Sequence, residues 1–124
     1  MNEIRWGIIG CGDVTEVKSG PAFNRIENSK LIGVMRRNYD LAKDYAQRHR
    51  VPKYYSNADD LINDNEINAI YIATPPSSHK EYTIKSAEAG KPVYVEKPMA
   101  ASYNECIEMS EYCAEKNVPL FVAY

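Results

Sequence analysis

Two glycines, one residue apart, follow the first apolar run of this chain. The run over residues 4–9 leads directly into Gly10-Cys11-Gly12. Glycine allows a tight turn and a close approach to a bulky anion, and the first turn of a following helix adds unpaired N–H groups. Thr15 stands at the third glycine of the G-x-G-x-x-G dinucleotide pattern, so the pattern is partial. The junction predicts a pyrophosphate site, the alternative being a purely structural turn; the residues concerned are Gly10, Cys11, Gly12, Asp13 and Val14.

Two arginines follow the second apolar run, which covers residues 31–35. NAD-binding units commonly carry an acidic residue at this point, where it binds the adenosine ribose. Of Arg36 and Arg37, one would instead pair with a 2′-phosphate and the other would stack on the adenine, each charge-assisted bond contributing about 1.5 to 3 kcal/mol. Adjacent arginines also occur in ordinary solvated turns. Beside a glycine loop, however, they predict NADP as the preferred cofactor by roughly ten- to a hundredfold, with NAD as the alternative.

Polar residues and prolines follow the fourth and fifth apolar runs. The fourth run leads into Thr74-Pro75-Pro76, with His79 close behind, and the fifth leads into Glu96-Lys97-Pro98. In a doubly wound sheet, ligands lie outside the carboxyl ends of the strands, where the strand order reverses. Both segments are therefore expected to face the cofactor. His79 falls in the first turn of a predicted helix, which favours a structural hydrogen bond over proton transfer.

The elements that must position these residues alternate along the chain. Short apolar runs cover residues 4–9, 31–35, 53–55, 69–73, 93–95 and 120–123, with helix-patterned segments between them. Parallel strands need crossover connections, and those connections are right-handed. The alternation predicts an α/β fold with one doubly wound parallel sheet of six strands in the order 3-2-1-4-5-6, the Rossmann arrangement.

Caps and helix breakers mark the ends of several predicted helices. Ser78 and Ser102 are each followed three residues later by glutamate, which is the pattern of a capping box. Gly90 and Asn117, each two residues before a proline, mark helix ends. Gly20-Pro21 predicts a break in the first helix, because proline removes a backbone donor.

Composition and charge exclude several classes of protein. The chain has 124 residues, 44% of them hydrophobic, which is enough for one domain with a core. Its net charge is -2 and its basic residues form no long run, so we expect no nucleic-acid partner. No apolar run reaches membrane-spanning length, which predicts a cytoplasmic protein without membrane contact. The spacing of the three cysteines matches no metal or redox site.

The chain resembles the amino-terminal domain of the Gfo/Idh/MocA oxidoreductases, a family that includes glucose-fructose oxidoreductase and inositol dehydrogenase. The resemblance covers all 124 residues. It rests on Gly10-Cys11-Gly12, on Ala73-Thr74-Pro75-Pro76 with His79, and above all on Val95-Glu96-Lys97-Pro98. Arg36 departs from the family pattern, since NAD-preferring members have an acidic residue there.

The resemblance implies a role for each matching residue. Gly10 and Gly12 would hold the pyrophosphate, while Thr74, Pro75 and Glu96 would line the cofactor cleft. Lys97 would be the catalytic residue that handles the alcohol oxygen. Family members transfer hydride between nicotinamide C4 and a carbon of a sugar, cyclitol or related polyol. A closed cleft and the cationic oxidised ring both disfavour a charged lysine, so Lys97 could accept a proton.

The resemblance also implies a second, larger α/β domain that supplies most substrate contacts. We expect residues 1–124 to form only the NAD(P)-binding domain, to bind dinucleotide, and to lack turnover without the carboxy-terminal substrate domain. Homo-oligomers are expected of the full-length enzyme, and self-association through apolar surface beside the last strand is expected of this chain. The alternatives are a non-catalytic dinucleotide sensor and another reductase on the same cofactor fold, such as a biliverdin-type reductase.

Overall fold

One parallel sheet organises the part of the chain that the structure, a computed structural model, describes: residues 3–12 and 27–122. Over these residues, six strands lie in the order β3-β2-β1-β4-β5-β6, and every neighbouring pair is parallel. The strands are β1 (Ile4–Ile9), β2 (Ser29–Met35), β3 (Lys53–Tyr55), β4 (Ala69–Ile72), β5 (Val93–Val95) and β6 (Leu120–Val122). The predicted doubly wound topology is therefore confirmed.

Four helices and one 3₁₀ turn connect the strands within the described residues. They are α1 (Tyr39–His49), α2 (Ala58–Ile62), the 3₁₀ turn (Pro76–Ser78), α3 (His79–Glu88) and α4 (Tyr103–Glu115). The break predicted at Gly20-Pro21 lies outside the described residues. Of the helices described, none is long and apolar enough to cross a membrane.

Both faces of the sheet are apolar, as expected of parallel strands covered by helices. On one face, Ile70 and Val95 pack with Leu61 of α2 and Tyr82 of α3. On the other face, the buried residues include Ile8, Val34 and Tyr71 from the strands and Tyr45 and Ala46 from α1. Because successive side chains of a strand point to opposite faces, β1 to β5 each contribute to both clusters, whereas β6 contributes Leu120 and Val122 to the first cluster and leaves Phe121 exposed.

Three of the four helix ends predicted from the sequence are confirmed, and one is wrong. Ser102 is extended, and its Oγ accepts a hydrogen bond from the Glu105 N–H at 3.2 Å. Gly90 and Asn117 have φ values of +76° and +58°, the left-handed conformation predicted for helix ends. Ser78 makes no capping bond.

The difference at Ser78 has a local cause. The 3₁₀ turn holds its backbone near the helical region, with φ −106° and ψ −3°, whereas a capping residue is normally extended. Its hydroxyl instead lies 2.7 Å from Thr74 Oγ1 and 2.9 Å from the Pro75 carbonyl oxygen. The prediction of a capping box at Ser78 is therefore wrong. The serine side chain instead stabilises the loop that precedes it.

The register of the strands brings four loops to one edge of the sheet. Ile9 is paired with Met35 on one side and with Ile72 on the other, and Ile72 is paired with Val95. All four residues end their strands. The loops after β1, β2, β4 and β5 therefore begin at the same level, at the carboxyl edge where ligands of doubly wound folds bind.

Candidate cofactor site

The loop after β1 is fixed to the ends of both neighbouring strands. The N–H groups of Gly10 and Cys11 donate to the carbonyl oxygen of Met35, at 2.8 and 3.1 Å. Gly10 has a φ of +89°, and a Cβ there would lie 2.6 Å from Cγ2 of Thr74 and 3.0 Å from its backbone nitrogen. The left-handed backbone and the close approach to Thr74 both require glycine at this position.

Gly12 differs from Gly10, because packing within the described chain does not require it. A Cβ at Gly12 would meet no atom of the described residues within 4 Å. The missing side chain leaves open space in which a bulky anion can approach the backbone. Asp13 and Val14, the other two residues predicted to hold the pyrophosphate, lie outside the described residues.

A cleft of about 420 Å³ opens between the ends of β1, β2 and β4. The strand order reverses at this point, since β1 lies between β2 and β4. Its wall brings together a large part of the predicted site: Gly10, Cys11, Gly12, Arg36, Arg37, Thr74 and Pro75.

Five further residues line the cleft: Met35, Ala73, Ser77, Ser78 and Tyr82. Ser77 and Ser78 belong to the segment after β4 that the sequence predicts to face the cofactor, whereas Met35, Ala73 and Tyr82 were not predicted. Tyr82 lies four residues after Ser78, one turn along the helix, which is the spacing at which helical side chains share a face. A tyrosine at this position does not by itself predict that its side chain lines the cleft.

Arg36 and Arg37 give the cleft its charge. Both side chains are exposed, and Nη1 of Arg36 lies 3.4 Å from the carbonyl oxygen of Cys11. The backbone N–H of Arg36 donates to the Tyr55 carbonyl oxygen at 3.1 Å, which fixes the start of this turn to β3. Among the described residues that line the cleft, none is acidic. The cleft thus presents two cations to an anionic ligand.

His79 lies beneath the Thr74 loop, where only 1% of its surface is exposed. Its Nε2 faces the carbonyl oxygen of Thr74. Its Nδ1 lies 3.0 Å from the carbonyl oxygen of Pro98 and 3.1 Å from that of Met99. Although the sequence placed His79 on the cofactor side, its ring does not line the cleft and instead joins the two loops after β4 and β5.

Glu96 and Lys97 stand at the end of β5, outside the wall of this cleft. The N–H of Glu96 donates to the Ile72 carbonyl oxygen at 2.9 Å, so the motif begins level with the Thr74 loop. The carboxylate of Glu96 accepts a hydrogen bond from the Tyr71 hydroxyl. Lys97 is exposed, and its peptide bond to Pro98 is cis. No local sequence pattern predicts the contact between Tyr71 and Glu96.

The described residues contain no gathering of three histidine, cysteine or carboxylate side chains that could hold a metal ion. The described carboxyl edge offers a ligand its glycines, its two arginines, Glu96 and Lys97. Two guanidinium groups suit a phosphate, and the open space at Gly12 suits a second anionic group.

A family model described as the oxidoreductase family with an NAD-binding Rossmann fold matches residues 4–124. The chain belongs to the Gfo/Idh/MocA family. The part of the family that it matches is the NAD-binding Rossmann domain.

Two curated proteins align with nearly the whole chain. An oxidoreductase of Formosa agariphila is 51% identical over 123 residues, which make up 99% of this chain and 38% of that protein. The trans-1,2-dihydrobenzene-1,2-diol dehydrogenase of Mus musculus is 32% identical over 124 residues, 97% of this chain and 36% of the mouse protein. The chain therefore spans well under half the length of these relatives.

Solved structures show the same domain with cofactor bound. A 3-ketoreductase from Actinomadura kijaniata, in complex with NADP and TDP-benzene, has a TM-score of 0.91 at 25% identity, over 98% of this chain and 37% of that one. The WlbA dehydrogenase from Bordetella pertussis, in complex with NADH and UDP-GlcNAcA, has a TM-score of 0.89 at 27% identity, over 98% and 37%. Similar structures thus include one complex with NADP and one with NADH.

Proposed function

We propose that this chain binds NADP(H) and is the cofactor-binding domain of an oxidoreductase that transfers hydride to or from a sugar, cyclitol or related polyol. The observation that carries the NADP assignment is the pair Arg36 and Arg37 at the end of β2, in the wall of a cleft whose described lining has no acidic residue. A 2′-phosphate is an acceptor for both guanidinium groups, whereas an unphosphorylated ribose gives them no charge to pair with.

The cleft residues suit the adenosine half of the dinucleotide. The open space at Gly12 accommodates a pyrophosphate close to the backbone. Thr74 and Pro75 form a wall opposite the arginines, and the Ser78 hydroxyl braces it. The nicotinamide end would then extend toward β5 and its Glu96-Lys97-Pro98 loop.

The reacting end depends on Lys97. A bound nicotinamide supplies the hydride chemistry, and the chain supplies the group that exchanges a proton with the substrate oxygen. Lys97 is exposed at the carboxyl edge and directly follows Glu96, so its ammonium group is accessible to an alcohol or carbonyl oxygen. The class of substrate is supported by the family membership and by relatives solved with a nucleotide sugar.

Calorimetric titration of NADP and NAD into this chain at low salt tests the proposal. We expect NADP to bind more tightly by roughly ten- to a hundredfold, and Arg36→Asp to remove that preference. Arg50→Asp is the matched control, since it makes the same charge change beside the amino end of β2 and aspartate tolerates its left-handed backbone. Equal affinities in the wild-type chain, or an unchanged NADP affinity in Arg36→Asp, would contradict the 2′-phosphate assignment.

The same titrations separate the proposal from its alternatives. A chain that binds neither dinucleotide at millimolar concentration would contradict the cofactor-binding role itself. We expect binding without turnover in this chain, because the relatives are much longer than the aligned domain. Hydride transfer with a panel of sugars and polyols in a full-length protein containing this domain would support the enzyme, and its absence would favour the dinucleotide sensor.

A further inference from the structure

Tyr71 connects the interior of the sheet to the Glu96-Lys97 motif. It lies in β4 and is 2% exposed, which makes it one of the largest fully buried side chains of the described residues. Its hydroxyl donates a hydrogen bond to Oε1 of Glu96. No other side chain in the described part of the chain donates to that carboxylate. The position of Glu96 is therefore set by a residue of the rigid scaffold.

The strand register brings these two side chains together. Tyr71 is the direct partner of Tyr94 on β5, and their rings stack with centroids 5.4 Å apart and planes at 16°. Glu96 follows Tyr94 by two residues, so both project from the same face. Ile8 is the partner of Tyr71 on β1. The phenol ring thus projects from the face of the sheet, flanked by residues of both neighbouring strands, and its hydroxyl reaches Glu96 at the carboxyl edge.

This arrangement orients a carboxylate before any ligand arrives. One oxygen of Glu96 is engaged by Tyr71, which leaves the other oxygen to accept hydrogen bonds from hydroxyl or amide groups of a ligand. A side chain that is already ordered loses less conformational entropy on binding than a free one. Functional groups held by a second layer of hydrogen bonds also keep a more exact geometry.

We propose that Tyr71 is a positioning residue of the cofactor site, holding the Glu96 carboxylate where the nicotinamide end of the dinucleotide binds. The inference rests on the proposed function. Tyr71 does not line the cleft between β1, β2 and β4, so the contribution proposed for it is made through the Glu96 carboxylate. A buried tyrosine hydroxyl needs a hydrogen-bond partner in any case. The experiment must therefore distinguish a hydrogen bond that only stabilises the fold from one that also orients Glu96 for the ligand.

Tyr71→Phe removes only the hydroxyl, and two ligands separate the two roles. NADP carries the nicotinamide end, whereas 2′-phospho-ADP keeps the adenosine, the 2′-phosphate and the pyrophosphate but lacks the second ribose and the ring. We expect Tyr71→Phe to weaken NADP binding about five- to tenfold and to leave 2′-phospho-ADP binding within about twofold. A general disturbance of the fold would weaken both ligands together.

Tyr94→Phe is the matched control. Its ring stacks on Tyr71, but its hydroxyl makes no hydrogen bond within the described chain, so neither ligand should lose affinity. Glu96→Gln is a second variant, at a half-buried position where folding is not at risk. We expect Glu96→Gln to weaken NADP selectively, and the double variant Tyr71→Phe/Glu96→Gln to lose less than the product of the two single effects.

The outcomes distinguish this inference from the proposed function. Wild-type protein that binds neither NADP nor 2′-phospho-ADP would contradict the proposed function. Wild-type protein that binds both, together with a Tyr71→Phe variant that binds NADP unchanged or loses both ligands equally, would overturn the positioning role and leave the function standing. Independent effects in the double variant would overturn it as well.

Discussion

The Nδ1 atom of His79 lies 3.0 Å from the carbonyl oxygen of Pro98, while its Nε2 faces the carbonyl oxygen of Thr74. One buried ring therefore bridges the loop that walls the cleft and the loop that carries Lys97. The two loops follow different strands and share no backbone bond at these positions. Their separation depends on the size and the hydrogen bonds of this imidazole.

We expect His79→Leu to destabilise the fold by about 2 to 4 kcal/mol. The apolar side chain would fill a similar volume, but the partly buried carbonyl oxygens around the ring would lose the N–H donor that the imidazole supplies. The measurement is urea unfolding of the variant and the wild-type chain. His49→Leu is the control, because the ring of His49 lies against Tyr45 at the end of α1, away from the site, and we expect a change below about 1 kcal/mol. Equal losses in both variants would refute the bridging role.

The two glycines of the first loop are expected to respond differently to alanine. Gly10→Ala forces a Cβ to within 2.6 Å of Thr74 Cγ2 on a backbone with φ +89°, so it should cost about 1 to 3 kcal/mol of stability. Gly12→Ala meets no atom of the described residues within 4 Å and should change stability by less than about 1 kcal/mol.

Gly12→Ala should nevertheless weaken NADP binding by at least about tenfold, because the methyl group occupies the space proposed for the pyrophosphate. Thermal unfolding and calorimetric titration of both variants provide the two measurements. A Gly12→Ala variant that keeps both its stability and its NADP affinity would show that the open space is not used by the ligand.

Local signals predicted the frame of the molecule well. Each of the six apolar runs became a strand. Ser102 begins a helix, and Gly90 and Asn117 end helices, as predicted, because these residues act on neighbours within a few positions. Ser78 failed because its surroundings mattered more than its own type. The prolines before it impose a 3₁₀ turn that puts its side chain on Thr74.

The contacts that organise the site could not be predicted in the same way. Tyr71 meets Glu96 across 25 positions of sequence, and His79 reaches Pro98 across 19. Such pairs depend on strand register and on the path of loops, which no local pattern encodes. Residue types at strand ends indicated which side chains belong to the carboxyl edge. They did not indicate which of these side chains line the cleft and which, like His79, stabilise the loops around it.

A polar cluster near β3 should make stability depend on acid pH. Asp64 lies 2.8 Å from the Lys53 ammonium and accepts a bond from the Tyr55 hydroxyl. Burial raises the pKa of Asp64, but the hydrogen bonds from Lys53, from Tyr55 and from the Glu66 backbone outweigh it and lower the pKa to about 2.

A carboxyl group with a lowered pKa stabilises the fold fully above its unfolded pKa of 3.8. The stabilisation is lost as the pH falls from about 4 toward about 2. We expect the free energy of unfolding to fall over this range in the wild-type chain and to fall less in Asp64→Asn. Denaturant unfolding at several pH values checks this, with Asp44→Asn as the control on an exposed ion pair. Parallel pH profiles in all three proteins would contradict the role of Asp64.

Tyr55, which donates a hydrogen bond to Asp64, should make stability depend on alkaline pH. Burial and this hydrogen bond raise the pKa of Tyr55 to about 12. A group with a raised pKa stabilises the fold fully below its unfolded value of 10, and this contribution is lost as the pH rises toward about 12. Tyr55→Phe should therefore flatten the alkaline decline in the free energy of unfolding, which denaturant titrations above pH 9 would reveal.

The edge strand β6 carries an exposed aromatic residue beside an apolar groove. Phe121 is 57% exposed and lies 6.5 Å from Tyr94, ring centroid to ring centroid. The groove has a volume of about 470 Å³ and also includes Ile4, Trp6 and Val93. Edge strands with apolar side chains favour pairing with another chain, so we expect concentration-dependent self-association of this chain.

Sedimentation over a range of concentrations checks this, with two variants that each introduce a lysine. Phe121→Lys should shift the equilibrium toward monomer by about tenfold or more, because it removes an apolar contact and adds a like charge to both copies. Tyr103→Lys alters an aromatic residue that is 79% exposed at the start of α4, and it should leave the equilibrium unchanged. A wild-type chain that stays monomeric at high concentration would show that this face does not pair with a second copy, and an equal response of both variants would show that the association is not located at β6.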